Sequence, residues 1–337
     1  MSKPIRILGI ESSCDDTSAA VIEDRLILSN LIANQEIHSK YGGVVPELAS
    51  RAHQQNIVPV VTAALKKANL TFNEIDAIAY TKGPGLLGSL LVGNSFAKGL
   101  ALASAKPLLE VNHMQAHILA HFIADNATTP NFPFLCLTVS GGHTQIVKVD
   151  GPLEMEVIGT TLDDAAGEAF DKAAKMMDIP YPGGPLIDKY AKEGDPNRFY
   201  FKVGQMKGYD FSFSGLKTGI LYFLRDQVKL NPNFIKENIA DLSASIQLAI
   251  IDALFNKIEK AVGDYGIKEV AIAGGVSANS ALRNRLNSYK EKGWKVHLPK
   301  FEYCTDNAAM IAMAGKFIFE AKQFGSLAGA PEPRMKF

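Results

Sequence analysis

The sequence predicts an α/β protein of two similar lobes, and three observations carry that prediction. Strand-like apolar runs alternate with amphipathic or apolar helix-like stretches, the pattern of sheets flanked by helices. One unusual layout, a hairpin followed farther on by a strand, a glycine turn and a helix, occurs twice along the chain. A chain of 337 residues also suits about two domains at ~100–200 residues each, each able to bury its own core.

In chain order, the first hairpin is the apolar run IRILGI, the polar turn ESSCDDT (Glu11 to Thr17) and the run SAAVIE. Its lobe continues with the strand IDAIAY, the turn TKGPGLLGS and a helix. The second hairpin is FLCLTV, the turn SGGHT (Ser140 to Thr144) and QIVKV, followed farther on by IKEVAIA, the turn GGVSANS and another helix. Between these two parts lies extra helical sequence, from about Leu162 to Val262, which reads as an insertion in the second lobe. The expected division is therefore a first lobe over 1–111, completed by the C-terminal helix in 304–337, and a second lobe over 112–303. Duplicated lobes predict a cleft in which a ligand sits.

Lys+Arg and Asp+Glu both number 35, so no global field attracts nucleic acid or anionic lipid, and any nucleic-acid contact must be local. The richest local source of positive charge is Arg283 to Lys300, with Arg285, Lys290, Lys292 and Lys295 against the single acid Glu291. Cys14, Cys136 and Cys304 are far apart and form no CxxC pair, the usage of a reducing compartment. The N-terminal apolar run is too short for a signal-peptide core, and Leu86 to Leu109 is interrupted by Asn94, Ser95, Lys98 and Lys106. The expectation is a cytoplasmic protein with no membrane contact.

Several residue patterns carry chemistry. Gly141 and Gly142 of SGGHT have no side chain, so a phosphate or carbonyl oxygen can approach the main chain, although a glycine turn can also be only a turn. GGVSANSALR is a glycine turn into a helix capped by Ser277 or Asn279; Gly274 and Gly275 would let a nucleobase or ribose lie on the backbone, with Asn279 as a hydrogen-bonding arm. Asp15 and Asp16 sit in the first hairpin turn, where a carboxylate pair can hold Mg²⁺ through water, orient a proton transfer, or simply form the turn. NHMQAHILAHF places His113, His117 and His121 at intervals of four on one face of a predicted helix. Neighbours can share an ion, but His113 and His121 would be about 12 Å apart along the axis and cannot. A third ligand must come from elsewhere, and Asp306 of YCTDNAAM is a candidate for an N/N/O set. No glutamate follows His113, so the zincin protease mechanism lacks its base. In DDAAGEAFDKAAK, Gly167 is an unusual helix-interior residue that would let a ligand or neighbouring segment come close, and YPGGP turns sharply with little bulk.

Taken together and in order, ESSCDDT, YGGVVPELASRAH, KGPGLLGSLLVG, NHMQAHILA, TVSGGHTQ, DDAAGEAFDKAAK, YPGGP, DFSFSGLKT, GGVSANSALR and YCTDNAAMIA resemble the TsaD family of tRNA threonylcarbamoyltransferases over almost the whole chain. The resemblance implies a two-lobed actin-like ATPase (ASKHA) fold, with duplicated β-hairpin plus βα units around a central nucleotide cleft. It implies transfer of a threonylcarbamoyl group from threonylcarbamoyl-AMP to the N6 amine of the adenosine beside the anticodon, in tRNAs that read ANN codons. It assigns a divalent metal, iron or zinc, to His113, His117 and Asp306. It places an ATP- or AMP-type adenylate on the main chain of Thr138, Val139, Ser140, Gly141 and Gly142, and on Asp171, Gly184, Asp188 and Asn279. Asp15 matches an acid tied to catalysis, while Gln115 and Ala116 replace a Glu-Gly pair common in bacterial relatives, and His121 has no family role. The implied partners are tRNA, a TsaB-like paralogue, a TsaE-like ATPase and a TsaC-type enzyme that supplies the donor. Two other readings stand beside it: a small-molecule kinase of the same superfamily, which would make ADP and has no use for a histidine pair, and a nucleotide-gated scaffold subunit.

Overall fold

The structure is a computed structural model that describes residues 3–33, 38, 41, 43–125, 127–204 and 206–337. Gly42 of the YGGVVPELASRAH segment lies outside the described residues. The chain divides into two compact units, Met1–Pro130 with Asp150–Met155 and Pro299–Phe337, and Asn131–Val149 with Glu156–Leu298. The first unit thus runs to Pro130, past the boundary at 111 expected from sequence, because the helix after Asn112 packs on the C-terminal helix.

Unit 1 is built on a five-stranded sheet in the order β3-β2-β1-β4-β5. Its strands are β1 (Arg6–Glu11), β2 (Thr17–Glu23), β3 (Leu26–Ala33), β4 (Ala77–Gly83) and β5 (Leu108–Asn112). β1 pairs antiparallel with β2, and β4 joins β1 in parallel. Helices α1 (Pro46–Lys67) and α2 (Leu87–Ser104) pack on each other and bury Ile57, Val61 and Ala97 against Leu8, Ile10 and Tyr80. The short α3 (His113–Leu119) follows β5. On fully buried strand residues such as Ile7 and Leu8, each side chain contributes about 1.5–3 kcal/mol of hydrophobic stabilisation.

The second sheet consists of β6 (Phe134–Val139), β7 (Thr144–Gly151), β8 (Glu154–Thr160), β9 (Glu269–Ala273) and β10 (Lys295–His297) in the order β10-β9-β6-β7-β8. Counted within its own set, this is the connectivity of the first sheet again: an antiparallel hairpin whose first strand takes a parallel neighbour from the later βα unit. The duplication read from the hairpins and glycine turns is therefore a duplication of topology. Between β8 and β9 come α4 (Ala166–Met176), α5 (Gly183–Ala191), α6 (Ser214–Leu230), α7 (Phe234–Glu237) and α8 (Ile239–Tyr265), the expected helical insertion. Helix α9 (Ser280–Ser288) follows β9, and α10 (Ala308–Glu320) closes unit 1 against β1, β2 and β4.

Among the described helices, α8 is long and apolar enough to cross a membrane by length and composition alone. Its Leu242, Ile246, Ile250, Leu254 and Ile258 are buried in the core of unit 2, together with Phe170, Phe213 and Leu286. The predicted histidine helix is shorter than expected. It ends at Leu119, and the chain tightens into a 3₁₀ turn over Ala120–Phe122, so His121 sits on a different turn from His113 and His117.

Candidate metal centre and glycine-turn site

Two asparagine caps place the three candidate ligands of unit 1. The Asn112 carboxamide oxygen accepts from the backbone N–H groups of Met114 and Gln115, starting α3 so that His113 is its first residue. The Asn112 amide also donates to the carbonyl of Lys336, at 2.9 Å. Asn307 caps α10 in the same way, accepting from Met310, which puts Asp306 just outside the helix. His113 Nε2 then lies 3.3 Å from Asp306 Oδ1, and His117 Nε2 lies 3.2 Å from the same oxygen. The rings of the two histidines meet edge to face at 4.8 Å. All three donor atoms fall within 4.8 Å of one another.

The two separations to Asp306 fit a shared ion. Two ligands each about 2.0–2.2 Å from one centre, at tetrahedral to octahedral angles, are about 3–3.5 Å apart. Three protein ligands would leave further coordination positions to water or substrate. His113, His117 and Asp306 are thus brought together as the sequence reading expected, and His121 is not part of the group.

The charges agree with a cation site. Burial alone would push the His113 imidazole down, but the Asp306 and Glu11 carboxylates on either side hold it well above its ordinary value. Burial would likewise raise Asp306, yet the His113 and His117 rings hold it far below the usual carboxylate range. His117, buried beside His113, is held down. Asp16 is pushed up to about 7 by burial first and then by the charges of Asp15, Asp306 and Glu11. A site whose carboxylates crowd one another in this way gains from a bound cation.

Asp15 is half-buried in the same turn. The turn is held from several directions: His53 of α1 donates from Nε2 to the Cys14 carbonyl, Ser89 donates to that carbonyl, and the Leu86 N–H donates to the Ser13 carbonyl. A Cβ on Gly85 would lie 2.4 Å from the Ser13 carbonyl oxygen, so only glycine allows this approach.

The sequence reading missed Glu11. It ends the apolar strand β1, is fully buried, and accepts from His113 Nδ1 at 3.0 Å and from the Thr81 hydroxyl at 2.6 Å. The signal was present in the pattern IRILGIE, since an acid finishing a buried strand must find partners inside.

The candidate adenylate residues all lie in unit 2. Thr138 and Val139 are buried within the ladder, paired with Gln145 and Thr144, so accessible main chain begins beyond them. The turn closes on itself, with the Ser140 N–H donating to the His143 carbonyl and the His143 N–H to Ser140 Oγ. Gly141 and Gly142 are exposed, and a Cβ added to either would meet nothing within 4 Å. Gly167 does allow a close approach, and what approaches is this turn: a Cβ there would lie 2.6 Å from the Ser140 carbonyl oxygen.

Asp171 reaches from α4 to the start of α5, where its Oδ1 accepts from the N–H groups of Gly183 and Gly184. Burial outweighs those two donors and leaves its carboxyl above the ordinary value. Asp188 accepts from the N–H and hydroxyl of Ser280. Asn279, not Ser277, caps α9, and its amide donates to Gln247 at 2.6 Å, so both ends of the expected arm already have protein partners. Of the basic stretch, Arg285 pairs with Asp252, Lys295 with Glu269 and Lys300 with Asp125, while Lys292 lies over the Tyr289 ring.

A twice-built sheet of this connectivity, with a His–His–Asp centre beside its first hairpin turn, defines an actin-like ATPase fold equipped to hold a metal ion. Solved structures of that fold are similar to the chain. Full-length HypF superposes with a TM-score of 0.60 at 13% identity, covering 96% of this chain and 47% of that one. A ROK hexokinase from Thermus thermophilus gives 0.51 at 16% identity, covering 94% and 100%. At the level of sequence, residues 26–313 match the TsaD family, tRNA N6-adenosine threonylcarbamoyltransferase. Proteins of that name from Riemerella anatipestifer and Christiangramia forsetii are 62% and 59% identical, over 95% of both chains and over 99% and 98%. The chain belongs to the TsaD family of tRNA N6-adenosine threonylcarbamoyltransferases.

Proposed function

We propose that this chain transfers the threonylcarbamoyl group of threonylcarbamoyl-AMP to the N6 amine of the adenosine beside the anticodon, in tRNAs reading ANN codons, and releases AMP. Family membership supports the activity, and the convergence of His113, His117 and Asp306 is the structural observation that carries it. The donor is a mixed anhydride whose leaving group is already good, so the protein's work is positioning and polarisation. A divalent ion, Fe²⁺ or Zn²⁺, held by these three residues supplies Lewis acidity toward a donor oxygen.

The chain's own residues do the rest. Gly141 and Gly142 offer main-chain N–H groups to a phosphate, with Ser140 closing the turn, Asp171, Gly184, Asp188 and Asn279 shaping the adenylate's surroundings and Thr138 and Val139 supporting the turn from the ladder. Asp15 accepts the proton lost by the attacking amine, or orients a cation. A kinase on this fold would leave the histidine pair idle, and a scaffold would not need the donor set.

The working context we infer is the cytoplasm, in a complex with a TsaB-like paralogue and a TsaE-like ATPase, with a TsaC-type enzyme making the donor. Lys290 and Lys292, exposed residues of the basic stretch, are the proposed tRNA contacts. Lys290→Glu with Lys292→Glu should weaken tRNA binding and flatten its salt dependence by about one unit of slope per lost contact, with adenylate binding normal. The activity itself is tested by combining the chain and its partners with threonylcarbamoyl-AMP and an ANN-reading tRNA, then analysing the nucleosides. Threonylcarbamoyladenosine is the expected product; ADP formation with unmodified tRNA would favour the kinase.

A further inference from the structure

We propose that Glu11 is a positioning residue for the metal centre, selecting which nitrogen of His113 faces the ion. This rests on the metal reading above and concerns a residue that does not itself belong to the ligand set. Three donors converge on the Glu11 carboxylate inside unit 1. The Ser13 backbone N–H donates to Oε1 at 2.5 Å, while the Thr81 hydroxyl donates to Oε2 at 2.6 Å and His113 Nδ1 lies 3.0 Å from the same oxygen. A fully buried carboxylate with acceptors on both oxygens satisfies all of them.

The consequence falls on the imidazole. When an ion displaces the proton from Nε2, the atom that lies 3.3 Å from Asp306 and within the converging donor set, the proton on Nδ1 stays directed to Glu11 and keeps Nε2 as the ligand nitrogen. His117 gives the contrast: its Nδ1 is buried without a hydrogen-bond partner among the described residues, so the support is specific to His113.

An amide in place of the carboxylate cannot do the same. The Ser13 N–H can only donate, so the oxygen of a glutamine at position 11 turns toward it, and the NH₂ is left facing Thr81 and His113. The hydroxyl of Thr81 can reverse its role, but His113 Nδ1, which also has the Ser13 hydroxyl at 3.2 Å, can accept from that NH₂ only by moving its proton to Nε2, which removes that nitrogen as a ligand.

The test is Glu11→Gln, nearly the same shape, in the full chain stripped of metal and titrated with Zn²⁺ against a chromogenic chelator. A second readout is the His113 tautomer, taken from ¹⁵N chemical shifts of the metal-free protein labelled at histidine, at a pH high enough for the ring to be neutral. We expect Zn²⁺ affinity to fall about 10- to 100-fold and the Nδ1–H tautomer to be lost. Unchanged affinity, or retention of Nδ1–H in the folded variant, overturns the proposal. A wild-type chain that takes up no Zn²⁺ overturns the metal reading along with it. Should Glu11→Gln not fold, Thr81→Val carries the question: removing the hydroxyl that fixes Oε2 should weaken Zn²⁺ binding severalfold, and wild-type affinity there overturns the proposal equally.

Discussion

The two hairpin turns are the same backbone device with opposite electrostatic character. Both join antiparallel strands at the centre of a 3-2-1-4-5 sheet, and each is closely approached by a glycine from the later βα unit, Gly85 against Ser13 and Gly274 against Val139. The first turn is acidic and half-buried to buried, and it is braced by His53 and Ser89. The second is short, exposed at Gly141 and Gly142, and closed by its own serine. Carboxylates that crowd in a buried turn favour a cation, whereas N–H groups left open in a glycine turn favour an anion. On the function proposed above, the duplicated scaffold divides the reaction between metal and adenylate without changing its topology.

The largest expected effect breaks the first half of that comparison. His113→Ala and His117→Ala should each abolish stoichiometric metal binding, while His121→Ala, which opens a space in the core, should lower thermal stability and leave the metal in place. Elemental analysis of the three proteins decides the assignment, and equal metal loss in the His121 variant would defeat it. The second half is broken by Gly141→Val or Gly142→Val. Because a Cβ at either position meets nothing, the protein should fold normally and lose adenylate binding, read by calorimetric titration with ATP or AMP. Wild-type affinity would make the loop only a turn.

Two smaller effects sharpen the comparison. Gly85→Ala and Gly274→Ala should each destabilise the fold by about 1–3 kcal/mol in chemical denaturation, since both force a Cβ onto a backbone carbonyl, and Gly274 also has φ of 85°. Similar costs in the two units would show that the scaffold is equivalent where the chemistry is not. Asn112→Ala should cost about 1 kcal/mol from the lost cap and, by loosening α3, weaken metal binding more than Asn279→Ala does in unit 2.

Much of this was legible in the sequence, for identifiable reasons. The hairpins announced themselves through strand-period apolar runs around polar turns, and His113, His117 and Asp306 through spacing and family resemblance. The outer strands were not legible. β10 is only three residues, Lys295–His297, too short for any period to show, and β3 mixes half-buried positions because it lies at a sheet edge. The shortened α3 depended on a local tightening at Ala120 that residue spacing does not report. Asn279 read as a free arm because its partner Gln247 comes from a helix far away in the chain. Glu11 was overlooked because it opens a turn, where acids are common, and only its burial reveals its role.

The smallest predicted effect is a pH dependence confined to the first turn. Burial holds the His53 imidazole below its ordinary value, and its hydrogen bonds to Thr17 and Cys14 suit the neutral ring. The unfolded chain takes up a proton near pH ~6.5, and the folded one resists it until lower pH. The contribution is therefore full above about pH 6.5 and declines as pH falls toward the folded value. Denaturation midpoints from pH 7.5 to 5 should drop more steeply for the wild type than for His53→Asn.

The division of labour is tested most directly by measuring both ligands on both variants: zinc content by elemental analysis and AMP affinity by calorimetry, for His113→Ala and Gly141→Val side by side. The account predicts a crossed result, in which His113→Ala loses the ion and binds AMP as the wild type does, and Gly141→Val keeps the ion and loses AMP. A folded Gly141→Val that binds AMP normally, or a folded His113→Ala that retains a full equivalent of zinc, would contradict it.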